Sequence, residues 1–279
     1  MSDRVALVTG SSSGFGLLTT VELARAGFRV VATMRDLGRR ARLDKAAEDA
    51  GVSSLVDVQP LDVTDFTAMP PLIEDLIAEY GRLDVLVNNA GFALAGFAED
   101  VKIAELRSQL ETNFFGQVAL TRSVLPQMRR QKSGHIILVS SISGRLAGPG
   151  RSSYSASKFA LEGWAEGLRL EVHGLGIRVV LVEPGGFETG IWTRGAQFSE
   201  ITQSGASPNQ ERIDRLRRWA EKLPKGDPRV VAQLIARLAQ SPNPRLRYVV
   251  GRDARLHLLL RRLLPWRLYE KRVLKFLGI

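Results

Sequence analysis

The chain has 279 residues, 44% hydrophobic and 24% charged, the balance of an ordinary globular protein large enough to bury a sizeable core. It contains no cysteine, which excludes disulfides, thiolate metal sites and cysteine nucleophiles, and no apolar run approaches the ~20 residues needed to cross a bilayer. The net charge of +10 is concentrated: residues 245–275 carry ten basic and two acidic side chains, so the remainder is nearly neutral and gives no argument for nucleic-acid binding. From the N-terminus, short β-branched runs alternate with longer amphipathic stretches. Residues 5–9, 29–33, 55–59, 85–87, 136–139, 178–182 and 248–250 are expected as strands, the later ones almost wholly apolar, as strands buried on both faces are. Helical patterns fill 15–26, 39–50, 69–80, 103–114, 117–130, 153–173 and 229–239. The alternation implies one α/β domain, a doubly wound seven-stranded parallel sheet with helices on both faces. With no signal peptide ahead of the first strand, the chain is expected to be cytoplasmic. The irregular stretch 184–228, with a short helix at 210–223, reads as a substrate lid over about 190–226.

The first strand runs into Thr9-Gly10-Ser11-Ser12-Ser13-Gly14-Phe15-Gly16, which opens the first helix. Glycines there allow a tight turn and let backbone approach a pyrophosphate at the positive end of the helix, although the spacing is G-x-x-x-G-x-G. The second strand ends Met34-Arg35-Asp36. A carboxylate at that end would bond the ribose hydroxyl of NAD(H), whereas an arginine would pair with the 2′-phosphate of NADP(H). Arg35 favours NADP(H); Asp36 keeps NAD(H) open if the strand runs on. Asp62-Val63, after the third strand, could place a carboxylate on an adenine amino group. Asn88-Asn89-Ala90-Gly91, after the fourth, offers small and amide residues where a nucleoside must pass. Both loops lie at strand carboxyl ends, where open α/β sheets bind ligands.

Tyr154 and Lys158 stand four residues apart on an expected helix, so a phenol and an ammonium share one face. A phenol with a pKa near ~10 is a reluctant proton carrier at neutral pH, and a fixed positive charge beside it favours the phenolate. His135, His173 and His257 are scattered, without the placement of a base for a serine nucleophile or the spacing of a metal site.

Together, Thr9-Gly10-x3-Gly14-x-Gly16, Asn88-Asn89-Ala90-Gly91, Asn113, Ser141, Tyr154-x3-Lys158 and Pro184-Gly185 resemble the short-chain dehydrogenases/reductases in order and spacing, over residues 1 to about 190. The segments around Met34 and Tyr154 are similar to the branch that holds hydroxysteroid and retinol dehydrogenases and bacterial ketone reductases. The resemblance implies a Rossmann fold and hydride transfer between a nicotinamide and a ketone, aldehyde or secondary alcohol. It implies that Tyr154 carries the proton and that Lys158 lowers its pKa and bonds the nicotinamide ribose. Ser141 orients the carbonyl oxygen, and Asn113 holds a kink and a water. Gly10, Ser12, Ser13, Gly14, Phe15, Gly16, Arg35, Asp62, Val63, Asn89, Ala90 and Gly91 are the implied cofactor contacts, with Pro184, Gly185, Phe187 and Thr189 covering the nicotinamide. An NAD-dependent hydroxysteroid- or retinol-like alcohol dehydrogenase is the alternative, and an inactive nucleotide-binding scaffold or sensor, which would be expected to lack one of the four catalytic residues, is the outside one.

Ala156, Ala160, Gly163 and Gly167 make a smooth face on the tyrosine helix, suited to close packing on the sheet or on a second subunit in a homodimer or homotetramer. Ile191, Trp192, Phe198 and Trp219 imply an apolar substrate pocket. The extension 252–279 mixes leucines, Trp266 and arginines and is split by Pro265. Three readings fit it: packing over the substrate loop or a partner with arginines outward, peripheral contact with an anionic membrane, or binding of an acidic substrate or partner.

Overall fold

The computed structural model describes residues 4–189, 191, 196–222 and 225–277. The elements in chain order are β1 (Arg4–Thr9), α1 (Gly14–Arg25), β2 (Phe28–Met34), α2 (Ala41–Asp49), β3 (Val56–Pro60), α3 (Met69–Tyr80), β4 (Val85–Asn88) and β5 (Ala93–Ala95). They continue with α4 (Ile103–Leu110), α5 (Gly116–Gln131), β6 (Gly134–Val139), α6 (Ser152–Glu171), β7 (Ile177–Pro184) and β8 (Ala196–Phe198). The chain then passes through α7 (Glu200–Gln203), α8 (Gln210–Lys222), α9 (Arg229–Leu238), β9 (Arg247–Val250), α10 (Arg252–Leu263) and α11 (Trp266–Leu277).

Seven strands form one parallel sheet in the order β3-β2-β1-β4-β6-β7-β9. The register sets Val8 against Ala32 and Val87, and Leu138 against Asn88 and Leu181. Central strands are apolar on both sides because helices cover both faces. Phe28, Val30, Val85, Ile137 and Val180 meet α1, α2 and α9 in one core; Leu7, Leu86, Ile136 and Leu181 meet α3, α5 and α6 in the other. The chain leaves β1 toward β2 and β3, then returns to lay β4 on the opposite side of β1. That reversal opens a crevice at the carboxyl ends of β1 and β4, where ligands bind in such sheets.

The seven expected strands and the expected helices form, with two departures. The helix expected over 103–114 ends at Leu110, and the chain passes through a π-turn, Glu111–Phe115, before α5. A second, two-stranded parallel sheet pairs β5 with β8, Ala93 opposite Ala196 and Ala95 opposite Phe198. Three-residue strands carry too little periodicity to read from sequence. This small sheet ties the loop after β4 to the segment after β7.

Candidate active site

The glycine turn sits in the crevice. Gly14 has φ +57°, a left-handed conformation that glycine adopts without strain. A Cβ on Gly16 would overlap the Gly10 carbonyl oxygen and stand 2.5 Å from Asn89 Nδ2; one on Gly10 would stand 2.9 Å from Ala90 Cα. Ser13 takes the N-cap position of α1, but its side chain makes no capping bond, and Ser12 is half-buried beside it. The turn therefore presents backbone and hydroxyls to a phosphate at the positive end of a helix. Asn89 holds the turn: its Nδ2 donates to the carbonyls of Thr9 (2.9 Å) and Gly10 (3.2 Å). Thr9 Oγ1 accepts from the backbone N–H of Asn89 and of Ala90, both at 3.0 Å.

At the adenosine end, β2 stops at Met34 and Arg35 is the first exposed residue beyond it. Asp36 is engaged elsewhere, its Oδ1 accepting from Gly38 N at 2.9 Å to cap a 3₁₀ turn. Arg40 pairs with Asp44 at 2.8 Å. Asp62 turns one carboxylate oxygen to the N–H and hydroxyl of Thr64, leaving the other outward. Val63 is buried, its carbonyl oxygen lying where a Cβ on Gly116 would go.

Deeper in, a cleft is lined by Phe15, Asn89, Gly91, Asn113, Ser141, Tyr154, Lys158, Pro184, Gly185, Phe187 and Thr189, together with Phe92 and Ile191. Of the residues singled out in the sequence, these come together here; the phosphate-turn residues Gly10, Ser12, Ser13, Gly14 and Gly16, with Arg35, Asp62, Val63 and Ala90, lie outside its lining. Burial pushes the Tyr154 phenol above its ordinary range, opposed by its hydrogen bond with the Ser141 hydroxyl and by the charge of Arg151. Ser141 Oγ also accepts from Ser143 N at 3.1 Å, which fixes its lone pairs.

Burial lowers Lys158 to about 8, with the charge of Glu162 acting the other way. Its Nζ donates to Val139 O at 2.8 Å and stands 5.9 Å from the centre of the Tyr154 ring. The charge of Arg151, which the sequence motifs do not single out, also favours the phenolate. Its position three residues before Tyr154, at the N-cap of α6, is the signal that could have found it.

Asn113 lies in the π-turn, so the expected kink is there. Its side chain ties the residue ahead of β5 to α6: Nδ2 donates to Phe92 O (3.0 Å) and Ser157 Oγ (3.1 Å), and Oδ1 accepts from Phe92 N (3.0 Å). Both amide protons are thus engaged within the protein.

Two further groups shape the site without any sequence cue. Asp253, in the first turn of α10, accepts from Gly186 N at 2.8 Å. A Cβ on Gly185 would come within 2.5 Å of the same carboxylate, so a larger residue there would push the Asp253 side chain aside. Beneath Lys158, Glu162 bonds Arg247 at 2.9 Å, and Glu183 at the end of β7 meets Arg145 at 3.3 Å and Arg247 at 3.5 Å. Burial, then the charge of Glu162, raises Glu183 to about 7.

A phenol, a hydroxyl and an ammonium converge on one cleft beside a phosphate turn, an arrangement suited to moving a proton on or off an oxygen next to a bound dinucleotide. Comparison with known proteins agrees: residues 4–198 match the family described as short chain dehydrogenase. The chain belongs to the short-chain dehydrogenase/reductase family. It is thus an oxidoreductase acting on CH–OH and C=O groups with a nicotinamide cofactor, and the glycine cradle fits the pyrophosphate of such a cofactor. It is 40% identical over 273 residues to the uncharacterized oxidoreductase YusZ of Bacillus subtilis, covering 97% of each chain. It is 38% identical over 256 residues to a 3-ketodihydrosphingosine reductase of Bacteroides thetaiotaomicron, covering 90% of this chain and 89% of that one. Among solved structures, a short-chain dehydrogenase from Streptomyces avermitilis superposes with a TM-score of 0.80 at 37% identity, covering 97% of this chain and 98% of that one. A metagenomic short-chain oxidoreductase in complex with NADP gives a TM-score of 0.69 at 26% identity, covering 88% and 96%.

The three histidines stand apart from the cleft lining, and among the described residues there is no cluster able to hold a metal and no helix long and apolar enough to cross a membrane.

Proposed function

We propose that the protein is an NADP(H)-dependent reductase of an apolar ketone or aldehyde, running in reverse as a secondary-alcohol dehydrogenase. The observation that carries this reading is the convergence of Ser141, Tyr154 and Lys158 on the cleft lined by Pro184, Gly185, Phe187 and Thr189. When bound, the nicotinamide supplies hydride to the carbonyl carbon or takes it from the alcohol. Tyr154 gives its phenolic proton to the carbonyl oxygen, and Ser141 donates a hydrogen bond to that oxygen and orients it. Lys158, held near 8, is poised to return a proton to the phenolate and to bond the nicotinamide ribose. Asn113 is a positioning residue, fixing Phe92 at the cleft wall and bonding Ser157 behind it.

Preference for NADP(H) is supported by the end of β2 at Met34, with Arg35 exposed beyond it and Asp36 turned back as a cap. The NADP-bound neighbour agrees. An apolar substrate is supported by Phe92 and Ile191 in the cleft and by the relative named for 3-ketodihydrosphingosine. Residues 190–226 act as the lid, although the Trp192 and Trp219 side chains lie outside the described residues. Assembly is supported by α6: Ala156, Phe159 and Gly163 are exposed and a Cβ at Gly163 would meet nothing within 4 Å, which leaves room for a second subunit on this face.

The test is a panel of carbonyl compounds assayed with NADPH and with NADH, for the native chain and Tyr154→Phe. The variant is expected to bind NADPH as before and to lose turnover by a factor of about 10² or more, the scale of a general acid. Retained turnover would remove Tyr154 from the mechanism, and a strong preference for NADH would overturn the reading of Arg35.

A further inference from the structure

The two C-terminal helices carry a surface that the active site does not use. The inward side of α10 holds Ala254, fully buried, and Leu258, half-buried. On its outward side Leu256, Leu259 and Leu263 follow at i, i+3 and i+7 on one face, exposed by 55%, 52% and 67%. Arg252, Arg255 and Arg262 border that stripe. At the corner with α11, Trp266 is 55% exposed, and the Arg261 guanidinium lies 5.0 Å from its ring centre and 5.8 Å from that of Tyr269, bracing the two helices. The extension does pack over the substrate segment, since α11 meets α8, but the leucine stripe of α10 is left facing out beside its arginines.

Three exposed leucines along one helix face, with a half-exposed tryptophan at the start of the next helix, mark a surface with a partner. We propose that this face docks on an anionic membrane surface, with the leucine stripe and Trp266 entering the headgroup–acyl boundary and the flanking arginines on lipid phosphates. The charge argues for that occupant. Residues 245–275 carry +8 of the chain's +10, which attracts an anionic bilayer and repels a second copy of the same face. An aromatic ring at the edge of an apolar stripe flanked by arginines has the make-up of an interfacial helix. Neither α10 nor α11 is long and apolar enough to span, so the contact lies in the interface plane.

The experiment is co-sedimentation of the full chain with phosphatidylcholine vesicles, with and without phosphatidylglycerol, at low and high salt. Binding is expected only to the anionic vesicles and is expected to weaken with salt. Leu256→Ser/Leu259→Ser/Leu263→Ser is expected to lose at least about tenfold in partition, because the apolar insertion is removed. Arg255→Ala/Arg262→Ala, which leaves the apolar surface intact, is expected to lose about fivefold per arginine. Both variants are expected to keep the native circular dichroism and NADPH binding, since none of these residues lines the cleft. Equal binding to neutral vesicles, no binding at all, or native binding by the leucine variant would overturn the proposal. So would a native dimer that the leucine variant dissociates without any vesicle binding, which would assign the face to a second copy.

Discussion

Glu183 offers a test of the charge network under the active site. Its side chain is fully buried at the end of β7, and its carboxyl is raised from 4.5 to about 7. The folded protein therefore keeps a proton that the unfolded chain releases, and stability falls as pH rises from about 4.5 toward 7, then levels off. A tenfold change in an acid's ionisation constant corresponds to ~1.4 kcal/mol, so between pH 5 and pH 8 the native protein is expected to lose about 2–3 kcal/mol at this position alone. Glu183→Gln has nearly the same shape, keeps an oxygen able to accept from Arg145, and has no charge to release. The measurement is urea unfolding of both proteins at pH 5 and pH 8. Taking the difference between them at each pH cancels every group that titrates alike in both. The difference is expected to move by about 2–3 kcal/mol in favour of the variant on going from pH 5 to pH 8. A difference constant to within about 0.5 kcal/mol would show that Glu183 ionises at its ordinary pH, stabilised by Arg145 and Arg247, and would refute the reasoning.

Gly16→Ala places a methyl group against the Gly10 carbonyl and the Asn89 amide. It is expected to cost about 1–3 kcal/mol in thermal unfolding and to weaken cofactor binding by titration, since the phosphate turn must shift to make room. Arg35→Glu is expected to lower kcat/KM with NADPH by about tenfold or more, the loss of a charge-assisted pair with a 2′-phosphate, while sparing NADH. An unchanged NADPH/NADH ratio would rule Arg35 out as the discriminating residue. Asp253→Asn weakens the acceptor for Gly186 N and is expected to raise the KM for cofactor several-fold with little change in kcat.

The parts of the molecule legible in the sequence are those set by local pattern. Apolar runs such as 136–139 had to be strands buried on both faces, and the glycine spacing after β1 had to be a tight turn into a helix. What escapes depends on contacts between distant residues. The β5–β8 sheet joins Ala93 to Ala196 through three-residue strands with no period to detect. Asp253 reads as an acidic residue in a helix's first turn, and its bond to Gly186 spans 67 positions. Glu183 reads as a strand-end carboxylate until Arg145, Glu162 and Arg247 are brought around it by different parts of the chain. The Tyr154–Lys158 spacing does put both residues on one helix, as expected. The electrostatics of the pair are not legible there, because the direction in which Lys158 points is set by Val139 on β6.

The bond from Asp253 to Gly186 also fixes where the chain can be cut. The C-terminal helices look like an appendage that could be trimmed to obtain a smaller enzyme. A chain ending ahead of residue 253 would nonetheless free the Gly185–Gly186 backbone that closes one side of the cleft, and loss of activity would then say nothing about the basic tail itself. The first useful boundary falls after Asp253, and a purification tag belongs at the opposite end of the chain.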